Sequence, residues 1–236
     1  MYFITKIYIG FDVYLINKIE KIPKSENISY SQFGQDVYVF EKIFNKKQKG
    51  VFIDIGANHP IKCNNTYLLE LNNWTGLAIE PQNHLRALWP NIRKTTCLDY
   101  VIGPENKEVQ FIEGQDNEDG LSGIKNFNKV SENKQKEIIK EQKRLEQILD
   151  EYNIIDIDYL SIDVEGYEMN VLESIDFNKV NIKVINIEND LGFKKIPIIG
   201  KKIGNELGNN NIRKFLKSKG YTHKARIICD DFFVKI

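Results

Sequence analysis

The sequence predicts an open α/β fold, and three observations predict it. Apolar runs rich in β-branched residues alternate with segments of helical periodicity. Acidic residues recur at the carboxyl ends of those runs, where an α/β sheet presents its ligands, and the first run closes in a tight glycine turn. At 236 residues with no Gly/Ser- or Pro-rich linker, the chain reads as one large domain, residues 29–236, preceded by an extension at residues 1–28.

The extension is apolar, but Lys6, Asp12 and Lys18 interrupt it before about 18 apolar residues accumulate, so no transmembrane helix is expected. Its spaced apolar residues suit an amphipathic element docked on the domain or on a second copy, which favours a homodimer. Next, SYSQFGQDVYVFEKIF at 29–44 places Val37, Phe40, Ile43 and Phe44 on one helical face. The first strand follows in VFIDIGANHP at 51–60. Val51, Phe52 and Ile53 supply bulk for a strand covered on both faces, and Gly56 and Ala57 let the backbone turn close to a ligand.

A crossover helix is expected at 64–71 and a second strand in GLAIE at 76–80, which ends on Glu80 about 25 residues after the turn. A third strand is expected in TTCLDYVI at 95–102, with a hairpin-like segment at 108–113 after Gly103-Pro104. The Lys-, Glu- and Gln-rich stretch 126–152, with Leu145, Ile148 and Leu149 at helical spacing, reads as a solvated helix without a catalytic role. The fourth strand, 159–164, ends at Asp163 and Glu165, and a helix through Met169, Val171 and Leu172 leaves it. The fifth, 183–187, ends at Glu188 and Asp190, and residues 227–236 suit the edge of the sheet. Trp74 and Trp89 read as packing anchors.

Lys plus Arg and Asp plus Glu number 33 each, so the formal charge is +0 and no broad nucleic-acid footprint is present. Cys63, Cys97 and Cys229 fit neither a disulfide framework nor a Cys-x-x-Cys zinc site, which favours a reducing cytoplasm.

Asp54, Glu80, Asp99, Asp163 and Glu188 all fall at expected strand ends. The first turn lacks Gly-x-Gly-x-x-Gly, which a pyrophosphate-bearing cofactor needs for close backbone approach, so a cofactor without pyrophosphate fits better. S-adenosylmethionine qualifies: Glu80 suits its ribose, Asp99 its adenine amino group, and the 54–58 turn its amino-acid end.

The chain resembles the FkbM family of S-adenosylmethionine-dependent methyltransferases from about residue 29 onward. SQFGQD (31–36), FIDIGANHP (52–60), NNTYLLE (64–70), GLAIEP (76–81), LSGI (121–124), YLSIDVEGYE (159–168) and DDFFVK (230–235) occur in the family's order. The resemblance implies a class I, Rossmann-like methyltransferase fold in three layers. Its sheet is mostly parallel and seven-stranded, with an antiparallel edge hairpin. It also implies action on hydroxyl groups, often of sugars in surface polysaccharides or secondary metabolites. His59 and Pro60 stand where many members have aspartate and glycine.

The expected cofactor contacts are Gln35, Asp54, Gly56, Ala57, Asn58, Thr66, Glu80, Pro81, Asp99 and Asp163. For Gln35 and Thr66 a local capping role competes with this one. Asp163 leads as the base or acceptor-orienting group, with Glu165 and Glu188 beside it. His59 reads either as a catalytic contact or as a structural hydrogen-bond partner. The acceptor, a sugar, glycan or nucleotide sugar, would meet Ser122, Asp190 and His223. The same carboxylates, Asp163 and Glu188, could instead hold Mg²⁺ through hard oxygen ligands. A nicotinamide-linked nucleotide-sugar oxidoreductase and a catalytically inactive methyltransferase-fold scaffold stand as the alternatives.

Overall fold

The computed structural model describes residues 28–116, 118–189 and 210–236. Residues 1–27 of the amphipathic extension, and Asp190, lie outside the described residues.

Gly34, in the left-handed region at φ +86°, starts the short helix α1 (Gln35–Val37), which continues as a π-helical segment over Tyr38–Ile43. The first strand, β1 (Val51–Ile55), is followed by α2 (Tyr67–Leu71), β2 (Thr75–Ile79), α3 (Asn83–Arg86) and β3 (Thr96–Leu98). Four strands then build a second, smaller sheet: β4 (Val101–Ile102), β5 (Lys107–Gly114), β6 (Gly123–Ile124) and β7 (Gln135–Lys143). The chain returns through α4 (Leu145–Glu151), β8 (Asp156–Ile162), α5 (Glu168–Glu173) and β9 (Asn181–Glu188). It ends with α6 (Asn210–Ser218), β10 (Tyr221–Ile227) and β11 (Asp230–Lys235).

The main sheet has seven strands in the order β10-β11-β9-β8-β1-β2-β3. β3, β2, β1, β8 and β9 run parallel, and β11 is antiparallel to both β9 and β10. Strand alternation explains the continuous apolar runs, because each face packs its own helical layer. Ile53, Ile55, Leu160, Ile162 and Ile185 face α4, α5 and α6 through Leu145, Ile148, Leu149, Val171, Leu172, Ile212 and Leu216. Phe52, Tyr159, Val184 and Phe232 face Val37, Phe40, Leu68, Leu69 and Trp74 on the opposite side. Asp54 and Ser161 share this second face by register, at its carboxyl-terminal end.

Three sequence expectations are corrected here. The strand expected over 95–102 is two strands in two different sheets, β3 and β4. Asp99, between them, is drawn outward by Arg86 (2.8 Å) and Lys140 (2.7 Å), which ends the pairing with β2. The helix expected over 126–152 survives only as α4, because Leu145, Ile148 and Leu149 give a helical face to that stretch alone. Upstream, β7 pairs antiparallel with β5 from Lys107↔Gln142 to Gly114↔Gln135. At the carboxyl end, the late segment is not the sheet's edge: β11 lies inside, and β10 forms the margin.

The β10–β11 hairpin is fixed by one carboxylate. Asp231 is fully buried and accepts hydrogen bonds from Arg213 Nε (2.8 Å), Arg226 NH1 (2.9 Å) and Asn189 Nδ2 (2.6 Å), with His223 Nε2 at 3.1 Å. Burial opposes its ionisation, but His223, Arg213 and Arg226 together hold the carboxyl well below the usual carboxylate range. Removing one partner of a buried charge set leaves the rest uncompensated. Asp231→Asn is therefore expected to cost about 3 kcal/mol, lowering the melting temperature by roughly 10 °C in thermal circular dichroism.

Candidate active site

A cleft of ≈ 940 Å³ opens at the carboxyl ends of β1, β2, β8 and β9, and the small sheet with its loops forms its roof. Backbone hydrogen bonds hold the strand ends together. The N–H groups of Gly56 and Ala57 both donate to the Ile79 carbonyl (3.0 and 3.1 Å), and Asp163 N–H donates to the Ile55 carbonyl (3.0 Å). Gly56 has φ +79°, and a Cβ there would stand 1.8 Å from the Asp163 carbonyl oxygen. Only glycine permits both that backbone conformation and that approach.

Behind the turn sits a buried guanidinium. Arg93 donates to Glu70 Oε2 (2.6 Å), the Pro60 carbonyl (3.0 Å) and Asn64 Oδ1 (3.1 Å), and lies 4.7 Å from the centroid of the Trp89 ring. Trp89 Nε1 in turn donates to the Asn58 carbonyl at 3.0 Å, so the tryptophan anchors the turn as well as the core. Asp54 accepts from Thr66 Oγ1 (2.8 Å), and burial pushes its carboxyl upward against that bond and the Arg93 charge.

Glu80, 2 % exposed, accepts the Asn58 N–H on Oε2 (2.7 Å) and the Gln82 N–H on Oε1 (2.8 Å). Burial outweighs these bonds and pushes the carboxyl up to about 7. At the other end of the cleft, carboxylate oxygens of Asp163, Glu165 and Glu188 all lie within 4.8 Å of one another. Glu165 takes a left-handed backbone at φ +56°. The Lys129 ammonium stands 2.7 Å from Glu165 and 3.8 Å from Glu188. Burial and the charges of Glu188 and Glu165 hold Asp163 well above the usual carboxylate range. Glu188 is pushed up to about 8 by burial and by Glu165, with Lys129 pulling it down. Such a group accepts a proton more readily than an ordinary carboxylate.

Of the residues singled out in the sequence, Gln35, Asp54, Gly56, Ala57, Asn58, His59, Glu80, Pro81, Ser122, Asp163, Glu165 and Glu188 all line the cleft. Thr66 does not; it stands behind Asp54 and orients it. Asp99 is also outside the lining, since Arg86 and Lys140 hold it at the outer side of β3. His223 belongs to the Asp231 set on β10, packs edge-on to Phe233, and does not line the cleft. Asp190 is not among the described residues. His59 accepts the N–H groups of Ile61 and Lys62 on Nδ1 (both 3.1 Å), a turn-stabilising arrangement, and burial lowers its pKa.

Sequence reasoning missed Gln82, Tyr167 and Lys129, all of which line the cleft. Lys129 sat in the charge run read as a solvated helix, and nothing in its local pattern distinguishes it from its neighbours.

The family model for the Methyltransferase FkbM domain matches residues 54–222, from the last part of β1 into β10. A search of curated proteins returned no match.

A buried acid whose folded-state pKa is raised stabilises the fold fully below its unfolded pKa of about 4.3, and that contribution is lost as pH rises through the folded value. With Glu80 at about 7 in the fold, wild type should lose roughly 3 kcal/mol more unfolding free energy between about pH 4 and pH 7 than Glu80→Gln does. Denaturant titrations at several pH values measure this difference, and parallel curves would exclude Glu80 as the responsible group.

Proposed function

Because the chain belongs to the FkbM methyltransferase family, we propose that it is an S-adenosylmethionine-dependent O-methyltransferase of class I fold that methylates a sugar hydroxyl in glycan or surface-polysaccharide assembly. The observation that carries this reading is that one cleft holds Glu80 at one end and the Asp163, Glu165 and Glu188 carboxylates at the other. The strand order, with β11 reversed between β9 and β10, supports the fold assignment.

The residues present fit the cofactor. In its ionised form Glu80 offers acceptor oxygens for a ribose diol, and Gly56, Ala57 and Asn58 line the cleft where the amino-acid end would lie. Asp54, beside them, offers a further carboxylate whose orientation Thr66 fixes. When bound, S-adenosylmethionine supplies an electrophilic methyl group on sulfonium sulfur. The protein's part is to align the acceptor oxygen in line with that methyl and to take the hydroxyl proton as the new bond forms.

Asp163 and Glu188 carry the proton-accepting role, since crowding raises their affinity for a proton, and Glu165 with Lys129 orients them. Neighbouring sugar hydroxyls would donate to the remaining carboxylate oxygens. Tyr167, stacked edge-on with Phe127 at 4.9 Å, offers an aromatic ring at the wall for a sugar's C–H face. Asp163, Glu165 and Glu188 would also be the ligands of a Mg²⁺ ion, whose preference is for hard oxygens, although the Lys129 ammonium already supplies a cation at this point. Cys63, Cys97 and Cys229 are free thiols, which supports a reducing, cytoplasmic setting. Among the described residues no helix is long and apolar enough to cross a membrane.

Incubation with labelled S-adenosylmethionine and a panel of sugars, nucleotide sugars and glycans, followed by mass spectrometry, tests the reaction. A mass increase of one methyl group on a hydroxyl is expected. Calorimetry in which NAD binds and S-adenosylmethionine does not would overturn the reading, and cofactor binding without transfer to any acceptor would point to a scaffold. Turnover is expected to survive EDTA; loss restored by Mg²⁺ would put a metal among the carboxylates. With Glu188 raised to about 8, the rate should climb as pH rises through that value, because the proton-accepting form gains population. A folded Asp163→Asn protein should lose about 10²- to 10⁴-fold in kcat, and an unchanged rate would remove Asp163 from the mechanism.

A further inference from the structure

Gln82 follows the acidic end of β2 and is 3 % exposed. Its backbone N–H donates to Glu80 Oε1 at 2.8 Å. Its side-chain Oε1 accepts the Ser122 hydroxyl at 2.8 Å, and its Nε2 donates to the Asp119 carbonyl at 3.1 Å. Ser122 Oγ also accepts the Gly114 N–H at 2.8 Å, which ties it to the end of β5. One buried amide thus fastens the roof loop at residues 119–122 to the strand end that carries Glu80.

The same loop reaches the far end of the cleft. Lys129 N–H donates to the Leu121 carbonyl at 3.1 Å, and the Lys129 ammonium stands over Glu165. A second tie, His84 Nε2 to Asp119 Oδ1 at 2.7 Å, joins half-exposed groups, where water and salt weaken it. The Gln82 amide is shielded from both. Its chemistry is also specific, because both ends of the amide are used at once, one as acceptor and one as donor. Glutamate would keep the acceptor, lose the donor and place a charge beside Glu80. Methionine would keep the shape and lose both bonds.

We propose that Gln82 is a positioning residue: it locks the 119–122 roof over Glu80, and through that lock sets the protein's affinity for S-adenosylmethionine. The inference rests on the cofactor assigned above. It predicts that Gln82 and Ser122 act as one unit on cofactor affinity, with little effect on the chemical step.

The test is calorimetric binding of S-adenosylhomocysteine to wild type, Gln82→Met, Ser122→Ala and the double variant, each also melted without ligand. Loss of the clasp should weaken binding by about tenfold in Gln82→Met and by about threefold to tenfold in Ser122→Ala. The double variant should be no weaker than Gln82→Met, since both substitutions break the same bond. In Gln82→Met the cofactor KM should rise by a similar factor while kcat at saturating cofactor stays within about threefold. Should Gln82→Met fail to fold, Gln82→Glu takes its place and should bind more weakly than wild type, because the donor to Asp119 is lost and a charge is added beside Glu80. Unchanged affinity in the Gln82 variant, losses that multiply in the double variant, or a fall in kcat at constant KM would each overturn the inference. Wild type that binds no S-adenosylhomocysteine would overturn the cofactor assignment with it, so the two failures are distinguishable.

Discussion

The close contact between Gly56 and the Asp163 carbonyl is the constraint on which the cleft depends. β1 and β8 are neighbouring parallel strands, and their carboxyl ends must separate enough to admit a ligand while staying near enough to share it. The chain meets both requirements by turning β1 toward β2, where Ile79 accepts two successive N–H groups, and by holding Asp163 to Ile55. Such a turn leaves no room for a side chain at Gly56. The carboxylate of Asp54, the backbone of Asn58 and the base candidate Asp163 therefore all take their positions from one residue that has no side chain of its own.

Arg93 supplies the rigidity behind this turn. A guanidinium with this little access to water is tolerated only when its donors are satisfied, and Glu70, Pro60, Asn64 and Thr66 satisfy them from four points along residues 60–70. Asn64 also donates to the Ala57 carbonyl at 3.0 Å, and Thr66 also donates to Asp54. The cation therefore stabilises the turn and the Asp54 carboxylate together. Fold stability and site geometry are coupled at this point, because no member of the set can move without leaving another polar group buried and unpaired.

What the sequence discloses and what it conceals follow from how each sheet is covered. β1, β2, β8 and β9 are packed on both faces, so they must read as unbroken apolar runs, and their acidic ends stand out against that background. In the small sheet β7 is exposed along most of its length and spells QKEIIKEQK, a composition that suits a helix surface equally well. Its strand character becomes visible only through tertiary partners. Lys140 is buried because Asp99 (2.7 Å) and Asn83 (2.8 Å) receive its ammonium, and Gln142 because the Glu105 carbonyl and Tyr167 engage its amide. The Lys140–Asp99 pair accounts for two misreadings at once: it anchors a strand in a segment of helical composition, and it draws away a carboxylate whose place in the sequence suggested an adenine contact. His223 lies away from the cleft for a related reason: it engages a buried carboxylate, Asp231, whose burial a linear pattern does not show. Thr66 takes the capping place that the sequence also offered, at the start of α2, and donates to Asp54.

The carboxylate end of the cleft draws on both parts of the fold. The sheet contributes Asp163, Glu165 and Glu188, and the roof contributes Lys129. Three carboxylates brought this close cannot all ionise freely, so the high proton affinity of Asp163 and Glu188 belongs to the group and not to either one alone. Neutralising one acid lowers the cost of ionising the others, while withdrawing Lys129 raises it. The proton affinity of this cluster therefore depends on how the roof sits. Because that roof is fastened at the Glu80 end by Gln82 and Ser122, the protein has a physical route by which order at the Glu80 end can be felt at the carboxylate cluster, some distance across the same cleft.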